Sequence, residues 1–222
     1  RAARALRAAE AKIASAEKQA ADAMNKAKAA EKALMAAQGG RVTAVPVLSQ
    51  YNKVVKTDAG GKLGSASDYF AKKVITVKQN QKELLYSVDI KGKAGNVKQG
   101  AGIHILASGV QSADNYGYGS SYLVWLTKDP KHSPYSSSNT YVQLYQSVDD
   151  STMINLASIA LKDDISKGLT LQALYQEGTI TVLVNNDEKF SLPSGSISGG
   201  SSIALRSMLG PITFSNVSVK TK

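Results

Sequence analysis

The chain changes character at Gly39-Gly40. Residues 1–38 contain neither Gly nor Pro and are rich in Ala, the residue with the highest helix propensity. A Gly pair is a common place for a helix to stop. The sequence therefore predicts a long α-helix over residues 2–38, about 55 Å long at 1.5 Å per residue, within a first domain at 1–38. A linker at 39–41 and a second domain at 42–222 follow.

Apolar residues recur at alternating spacings of three and four through the first domain, which is the a/d pattern of a coiled coil. The predicted seam consists of Leu6, Ala9, Ile13, Ala16, Ala20, Ala23, Ala27, Ala30, Leu34 and Ala37. Lys12 and Lys26 precede Glu17 and Glu31 by the spacing that pairs opposite charges between parallel strands. Because so narrow a seam gives weak reason to fold back on a sheet, we expect the helix to self-associate.

This seam resembles the alanine zippers of small outer-membrane lipoproteins of the murein lipoprotein type, which are parallel trimers. The resemblance covers the helix alone, and it implies a coiled-coil assembly. The lipid-bearing Cys of those proteins is absent here, since the chain has no cysteine. Small residues on several faces also permit a larger array, such as the core of a filament.

Beyond Gly40, short segments alternate apolar and polar residues and are separated by Gly, Asn, Asp or Ser. The segments that predict strands are 41–48, 51–57, 69–78, 83–91, 102–108, 121–127, 140–148, 152–161, 168–176, 178–186, 188–192, 201–207 and 211–220. So many short strands without helices between them predict a mainly β fold, an antiparallel β-sandwich.

Two stretches carry a family resemblance: the hairpin GTITVLVNNDEKF, with Asn185-Asn186-Asp187 in its turn, and the ending IALRS…GPITFSNVSVK. They resemble the concanavalin A-like lectin/glucanase superfamily, most of all the accessory modules of fructan- and xylan-degrading enzymes and the 3-keto-disaccharide hydrolase domains. The resemblance covers roughly residues 80–220 and implies a jelly-roll β-sandwich. The matching residues are structural, and we expect core positions at Ile212, Phe214, Val217 and Val219.

The net charge of +10 is spread along the chain without a Lys/Arg block. Solvated surface charge explains most of it, and attraction to an anionic glycan or another anionic polymer is the functional alternative. No nucleic-acid-binding motif is present, and no apolar run is long enough to span a bilayer. The lack of cysteine excludes disulfides and thiol chemistry.

The sequence does not predict an enzyme. A glycosidase needs two carboxylates about 5–9.5 Å apart, which the laminarinase-like members supply through Glu-x-Asp-x-x-Glu, a run absent here. Glu83 and Asp89 would lie roughly 20 Å apart along one strand. With only His104 and His132 as histidines, we predict no catalytic residues, metal centre or cofactor. A structural calcium ion near Asp149-Asp150 or Asp163-Asp164 is an alternative.

Aromatic residues crowd between positions 116 and 145, and a strand over TYVQLYQ would place Tyr141, Gln143 and Tyr145 on one face. An exposed row of Tyr and Gln is suited to carbohydrate contact. We therefore predict glycan binding by these three residues with Tyr122 and His104, which points away from Ile103 and Ile105. Trp125 is expected in the core.

Together these features predict a non-enzymatic surface or envelope protein in an extracytoplasmic setting: the periplasm, the cell surface or the medium of a bacterium. Its role would be structural or glycan-binding, with a coiled coil that assembles jelly-roll domains. One alternative is a filament or sheath subunit whose core is the helix. The other is an enzyme that acts on glycosides, which the missing carboxylate pair disfavours.

Overall fold

The computed structural model describes residues 47–128 and 139–222, and both segments consist of β-strands joined by turns and loops. The strands are β1 (Lys53–Asp58), β2 (Gly61–Leu63), β3 (Ala71–Thr76), β4 (Glu83–Lys91), β5 (Gly100–Ser108), β6 (Ser120–Thr127), β7 (Tyr141–Ser147), β8 (Met153–Ala160), β9 (Leu169–Gln176), β10 (Thr179–Val184), β11 (Asp187–Pro193), β12 (Ser202–Met208) and β13 (Ile212–Thr221). Two short 3-10 turns occur at Leu48–Gln50 and Ile165–Lys167. The predicted helix and its seam lie outside the described residues.

The strands form two antiparallel sheets. Sheet I has seven strands in the order β1-β13-β4-β9-β10-β11, with β2 also paired to β13. Sheet II has six strands in the order β3-β12-β5-β6-β7-β8. The last two strands of the chain thus insert between early ones, which is the crossing pattern of a Greek-key sandwich. The predicted antiparallel β-sandwich is confirmed.

Each predicted segment from 51–57 onward overlaps a strand of the structure. The segment 41–48 does not yield one in its described part, because Leu48 begins a 3-10 turn. Strand β2 was not predicted, since Gly61–Leu63 is too short to show alternation. In the hairpin between β10 and β11, Asn185 and Asn186 have φ angles of 55° and 65°. Asn tolerates this left-handed region, which a two-residue hairpin turn requires.

The core lies between the inner faces of the two sheets. The family-pattern residues Ile212, Phe214, Val217 and Val219 are at most 2% exposed, as predicted. One buried side chain, Gln79, links the sheets through hydrogen bonds. Its Oε1 accepts from Tyr86 Oη at 2.9 Å and from Leu106 N at 2.8 Å, and its Nε2 donates to Ser202 O at 2.8 Å. This network fixes sheet I relative to β5 and β12.

The outer face of sheet I is partly covered by the segment that enters the sandwich. Leu48 and Tyr51 pack against Leu85, Leu174 and Leu183 of that face. The last residue, Lys222, lies close to the same segment, since its ammonium is 5.3 Å from the Tyr51 ring centre. Within the described residues, the structure contains no helix that is long and apolar enough to cross a membrane.

Candidate binding site

The strand register defines which side chains share the outer face of sheet II. The central row across the sheet is Lys72, Arg206, Gly102, Trp125, Gln143 and Ser158. Their neighbours along the chain point the other way. Lys73 Nζ reaches Asp58 Oδ1 of sheet I at 2.6 Å, and Ser207 Oγ reaches Leu63 O at 3.1 Å. None of the six strands of sheet II contains Asp or Glu.

Arg206 lies on this outer face next to the edge strand β3, inside an aromatic cage. Its guanidinium carbon is 4.9 Å from the ring centre of Tyr116, 5.1 Å from Trp125 and 5.8 Å from Phe70. These distances are those of cation–π contacts. Its Nη1 also donates to Met153 Sδ at 3.5 Å. The cage therefore holds the guanidinium with ring faces and a thioether instead of a carboxylate.

Two glycines on the neighbouring strand make room for the Trp125 ring. A Cβ at Gly100 would lie 2.2 Å from Trp125 Cζ2. A Cβ at Gly102 would lie 2.0 Å from Val124 O and 3.0 Å from Trp125 Cε3. Because both positions lack a side chain, the indole lies flat against β5. The local sequence Gly-Ala-Gly thus positions one wall of the Arg206 cage.

Arg206 is 2% exposed, and its Nε has no hydrogen-bond partner. Burial lowers its pKa to about 10, against the opposing influence of Tyr116 and Tyr145. The group therefore stays charged at neutral pH. No ion pair between Arg206 and a carboxylate occurs in the part of the chain that the structure describes. A buried charge without a counter-charge is costly and calls for an explanation.

The loop 109–119, which carries Tyr116, is held from two sides. Lys72 Nζ donates to Ala113 O at 2.9 Å and to Asn115 O. The Asp150 carboxylate accepts from the backbone N–H of Gly119 at 2.6 Å, and from those of Gln111 and Ser112 at 2.9 Å each. These bonds orient Tyr116 over Arg206 before any ligand arrives.

These tethers also perturb the two charged groups that make them. Burial, followed by the nearby Arg206 charge, lowers the pKa of Lys72 to about 8. Burial opposes ionisation of Asp150, but its hydrogen bonds to backbone N–H groups outweigh that effect and hold its pKa below the ordinary value.

His104 lies on the outer face of sheet II, as its alternation with Ile103 and Ile105 predicted, but it is fully buried. Its Nδ1 is 3.0 Å from Ser121 Oγ, and its ring contacts Tyr118 at 5.4 Å between centres. Its Nε2 has no hydrogen-bond partner. Burial, with smaller contributions from the Arg206 and Lys72 charges, holds its pKa well below the ordinary value. His104 is therefore neutral at physiological pH.

The predicted row of Tyr141, Gln143 and Tyr145 does share the outer face of sheet II. The expectation that the row is exposed is wrong, because the three side chains are 0%, 0% and 7% exposed. Tyr145 packs in a cluster with Leu123, Trp125 and Met208. Their direct role in glycan contact stays a prediction.

The positions of Tyr122 and Trp125 differ from those that the sequence predicted. Tyr122 belongs to the inner face, where its hydroxyl donates to Ser194 O, so the structure does not bring it to the other candidates. Trp125 is buried as expected, at 3% exposure. It lies on the outer face of sheet II, however, and not between the sheets. His132 lies outside the described residues.

A cleft of about 600 Å³ opens beside this face, at the end of the sandwich where β3 begins. Its lining includes Tyr69, Lys93, Asn96, Lys98, Leu209 and Pro211. Tyr69 is 52% exposed, a large fraction for an aromatic ring. Sequence reasoning missed this cleft, since loops from three separate connections build it. The Tyr69-Phe70 pair ahead of β3 was the one available signal.

One wall of the cleft is braced by internal hydrogen bonds. Within the loop 92–99, Gln99 Oε1 accepts from Lys93 N at 2.7 Å, and Gln99 Nε2 donates to Lys93 O at 2.7 Å. The Asn96 side chain donates to Leu209 O at 2.6 Å, which ties this loop to the β12–β13 connection. The cleft is therefore preformed.

Glu83 and Asp89, whose separation the sequence analysis judged too large for catalysis, lie near opposite ends of β4 in sheet I. Glu83 pairs with Lys222 Nζ at 2.7 Å. Asp89 accepts from Thr170 Oγ1 at 2.6 Å and from Asn216 Nδ2 at 2.7 Å. Each carboxylate has its own partners, and neither belongs to the sheet that carries Arg206.

The carboxylates considered for calcium are engaged by N–H donors where their contacts are described. Asp149 Oδ1 accepts from Ser151 N and Thr152 N at 2.7 Å each. Asp164 accepts from Ser166 N at 2.8 Å and pairs with Lys128. The described residues contain no group of three potential ligands among His, Cys, Asp and Glu. The calcium site stays a prediction that no observation here tests.

No protein-family model matches the chain, and no curated protein matches its sequence. Solved structures do match. The carbohydrate-binding module CBM66 from Bacillus subtilis superposes with a TM-score of 0.54 at 15% identity, over 76% of this chain and 97% of the module. A Bacillus subtilis protein of unknown function with a galectin-like fold gives 0.51 at 11% identity, over 74% and 88%.

An enzyme is among the matches as well. The β-fructofuranosidase of Aspergillus kawachii, solved with glycerol, gives a TM-score of 0.51 at 16% identity. The match covers 78% of this chain but 28% of the enzyme. What these proteins share with the chain is the fold. The described part of the chain is a jelly-roll β-sandwich of the kind found in galectin-like and carbohydrate-binding domains, which confirms the β-sandwich part of the predicted fold.

Proposed function

We propose that the protein binds glycans without cleaving them, and that a sugar occupies the cleft beside Tyr69. The observation that carries this proposal is the Tyr69 ring, 52% exposed, in a preformed cleft of about 600 Å³. A volume of this size lies in the range of small-molecule sites. The jelly-roll fold, which the chain shares with a carbohydrate-binding module, supports the same function without assigning it.

The cleft has the two kinds of group that sugar recognition needs. A Tyr ring can lie against the apolar C–H face of a pyranose or furanose. Lys93, Asn96 and Lys98 line the same cleft and can bond to hydroxyl or acidic substituents. Because the internal bonds of Gln99 already hold the loop, little ordering entropy is lost on binding.

The composition of sheet II supports a non-catalytic role. Glycoside hydrolysis uses two carboxylates on opposite sides of the scissile bond, and the six described strands of sheet II contain no Asp or Glu. The cationic groups Lys72 and Arg206 on its outer face suit ligand binding better than acid–base exchange. We therefore rank the glycoside-acting enzyme below the binding protein.

The role proposed for residues 1–38 is assembly. An alanine-seamed coiled coil would present several jelly-roll domains together and convert weak single-site binding into avidity. We place such an assembly outside the cytoplasm, at a bacterial surface or envelope. The competing proposal is a filament or sheath whose core is this helix, and the solution mass of the full chain separates the two. Sedimentation would show a discrete small oligomer for the first and large, concentration-dependent species for the second.

The direct test is a binding screen of the full chain against neutral and acidic polysaccharides by affinity electrophoresis, followed by calorimetry. We expect Tyr69→Ala to weaken binding at least tenfold, because the sugar loses its stacking surface. Val54→Ala removes another exposed apolar side chain, on sheet I, and should bind normally. Binding by Tyr69→Ala at wild-type strength, failure of the intact chain to bind any glycan, or turnover of a bound glycan would each refute the proposal.

A further inference from the structure

The Arg206 cage opens into a narrow pocket, lined by Tyr116, Leu123, Trp125, Tyr145, Met153 and Met208. The pocket provides about 10 Å³, roughly the space of one water molecule or one ligand oxygen. Arg206 forms part of this lining, and its Nε has no partner. A buried guanidinium normally faces a carboxylate or phosphate, to which it can donate two parallel hydrogen bonds.

The surroundings of Arg206 favour an anion, and no carboxylate of the described residues forms an ion pair with it. Sheet II has no acidic residue in its described strands, and Lys72 stands directly opposite Arg206 on β3. Two neighbouring cations with low-dielectric walls concentrate positive potential, and Asp114 and Asp150 offset part of it on the Lys72 side. Aromatic faces offset part of the cost of burying the guanidinium, but they leave its in-plane Nε–H without a hydrogen-bond acceptor.

The pocket and the cleft of the proposed function are adjacent. Tyr69 lines the cleft, and the next residue, Phe70, forms part of the cage. In the same way, Leu209 lines the cleft and the preceding residue, Met208, lines the pocket. Phe70 is 39% exposed, so its ring contributes to both the cage and the surface. A ligand across the Tyr69-Phe70 pair would reach both.

We propose that Arg206 receives the carboxylate of an acidic sugar whose ring lies against Tyr69 and Phe70. This inference rests on the proposed function and names its substrate class. A carboxylate is planar and matches the guanidinium edge in two-point contact. It also suits the narrow space between aromatic walls better than a tetrahedral sulfate or phosphate does.

The test uses the single tryptophan of the chain, Trp125, which forms one wall of the cage. Its fluorescence and the thermal midpoint of the full chain are measured at constant ionic strength. The probes are D-glucuronate and D-galacturonate, their methyl esters, the neutral hexoses and sodium sulfate. We expect the uronates to bind at least tenfold more tightly than the esters or the hexoses. At ten times their Kd they should raise the midpoint by about 3 °C.

Variants then assign the preference to one residue. Arg206→Met keeps the volume and removes the charge, so it should lose the tenfold preference for uronates while remaining folded. Lys56→Met removes a charge from an exposed position on sheet I and should keep the preference. The comparison of uronate with its methyl ester in the wild-type chain needs no variant, so the test stands even if Arg206→Met does not fold.

Several outcomes overturn the inference. The inference is wrong if uronates and their methyl esters bind equally well. It is also wrong if Arg206→Met keeps the preference for uronates, or if sulfate binds as tightly as the uronates. Neutral sugars that bind through Tyr69 without any uronate preference would refute this inference and leave the proposed function intact. If no sugar in the panel binds and the polysaccharide screen also fails, both are refuted.

Discussion

Lys72 and Arg206 lie directly opposite each other on β3 and β12, and both point to the outer face of sheet II. Like charges at such a position destabilise a pair of antiparallel strands. The fold tolerates the pair because separate groups hold each cation. Lys72 donates to two carbonyls of the loop 109–119, and Arg206 is enclosed by three aromatic rings. The result is a cationic centre within a largely buried surface.

The first prediction concerns the pH dependence of stability at Lys72. Burial and Arg206 lower its pKa to about 8 in the folded protein, whereas an unfolded Lys titrates near about 10.4. Between these values the unfolded chain binds the extra proton, so stability rises with pH. We expect wild type to gain stability relative to Lys72→Met as pH rises from 8 to 10, measured by urea unfolding.

Other groups titrate in this range, and the difference between wild type and variant removes their shared contribution. Lys56→Met serves as the matched control, since Lys56 is exposed on β1, and its difference from wild type should not vary in the same way. A wild-type advantage that stays constant or shrinks from pH 8 to 10 would contradict the burial of a charged Lys72.

The second prediction concerns acid and His104. Burial first, and then Arg206 and Lys72, holds the folded-state pKa of His104 well below its ordinary value. The unfolded chain takes up a proton below about pH 6.5 and the folded chain does not, so stability falls as pH drops through that value. We expect His104→Gln to lose this part of the acid dependence. Unfolding free energies at pH 7.5 and 5.5 check it, and equal losses in both proteins would show that His104 titrates freely.

The third prediction concerns the tether of the loop 109–119. Asp150→Ala removes the acceptor for three backbone N–H groups. We expect it to cost about 2 kcal/mol of unfolding free energy and to raise hydrogen exchange at Gln111, Ser112 and Gly119. Asp163→Ala removes the same charge at an exposed turn position and should leave this exchange unchanged. A protected loop in Asp150→Ala would mean that Lys72 alone suffices to hold it.

The fourth prediction concerns the glycines beneath Trp125. A methyl group at Gly102 meets a backbone carbonyl at 2.0 Å, and one at Gly100 meets the indole at 2.2 Å. Gly102→Ala should therefore destabilise the protein by more than about 3 kcal/mol. Gly100→Ala should instead displace Trp125 and shift its emission. Gly95→Ala is a control with no atom near its new Cβ, although its positive φ adds some strain. Unchanged emission in Gly100→Ala would show that the ring does not lie on β5.

Alternation predicted the strands well, because each sheet buries its inner face and the repeat of two residues is strict. It placed Tyr141, Gln143 and Tyr145 on one face correctly. It failed on exposure, since the period of a strand says nothing about what packs on that face. The loop that carries Tyr116 joins β5 to β6 and covers side chains from distant strands, a relationship that no local pattern contains.

The candidate site was hidden for a related reason. Arg206 stands in the strand Ser-Ile-Ala-Leu-Arg-Ser-Met, which matches the family's structural ending, and it was interpreted only as part of that pattern. Arg206 is the one charged residue of this strand, and such a residue can indicate a buried charge with a functional role. The Gly-Ala-Gly start of β5 was a second signal, because two glycines on one face of a strand leave space for a large side chain such as the single Trp of the chain.

Both ends of the sandwich meet on sheet I, where Lys222 lies over Tyr51. The Arg206 pocket belongs to the outer face of the other sheet. A fluorescent protein, biotin tag or immobilising linker joined after Lys222 would thus leave from the side of the domain away from the pocket. The same closeness of the two ends suits circular permutation, in which a short Gly/Ser linker joins Lys222 to residue 47 and new termini open in an exposed turn such as 185–186.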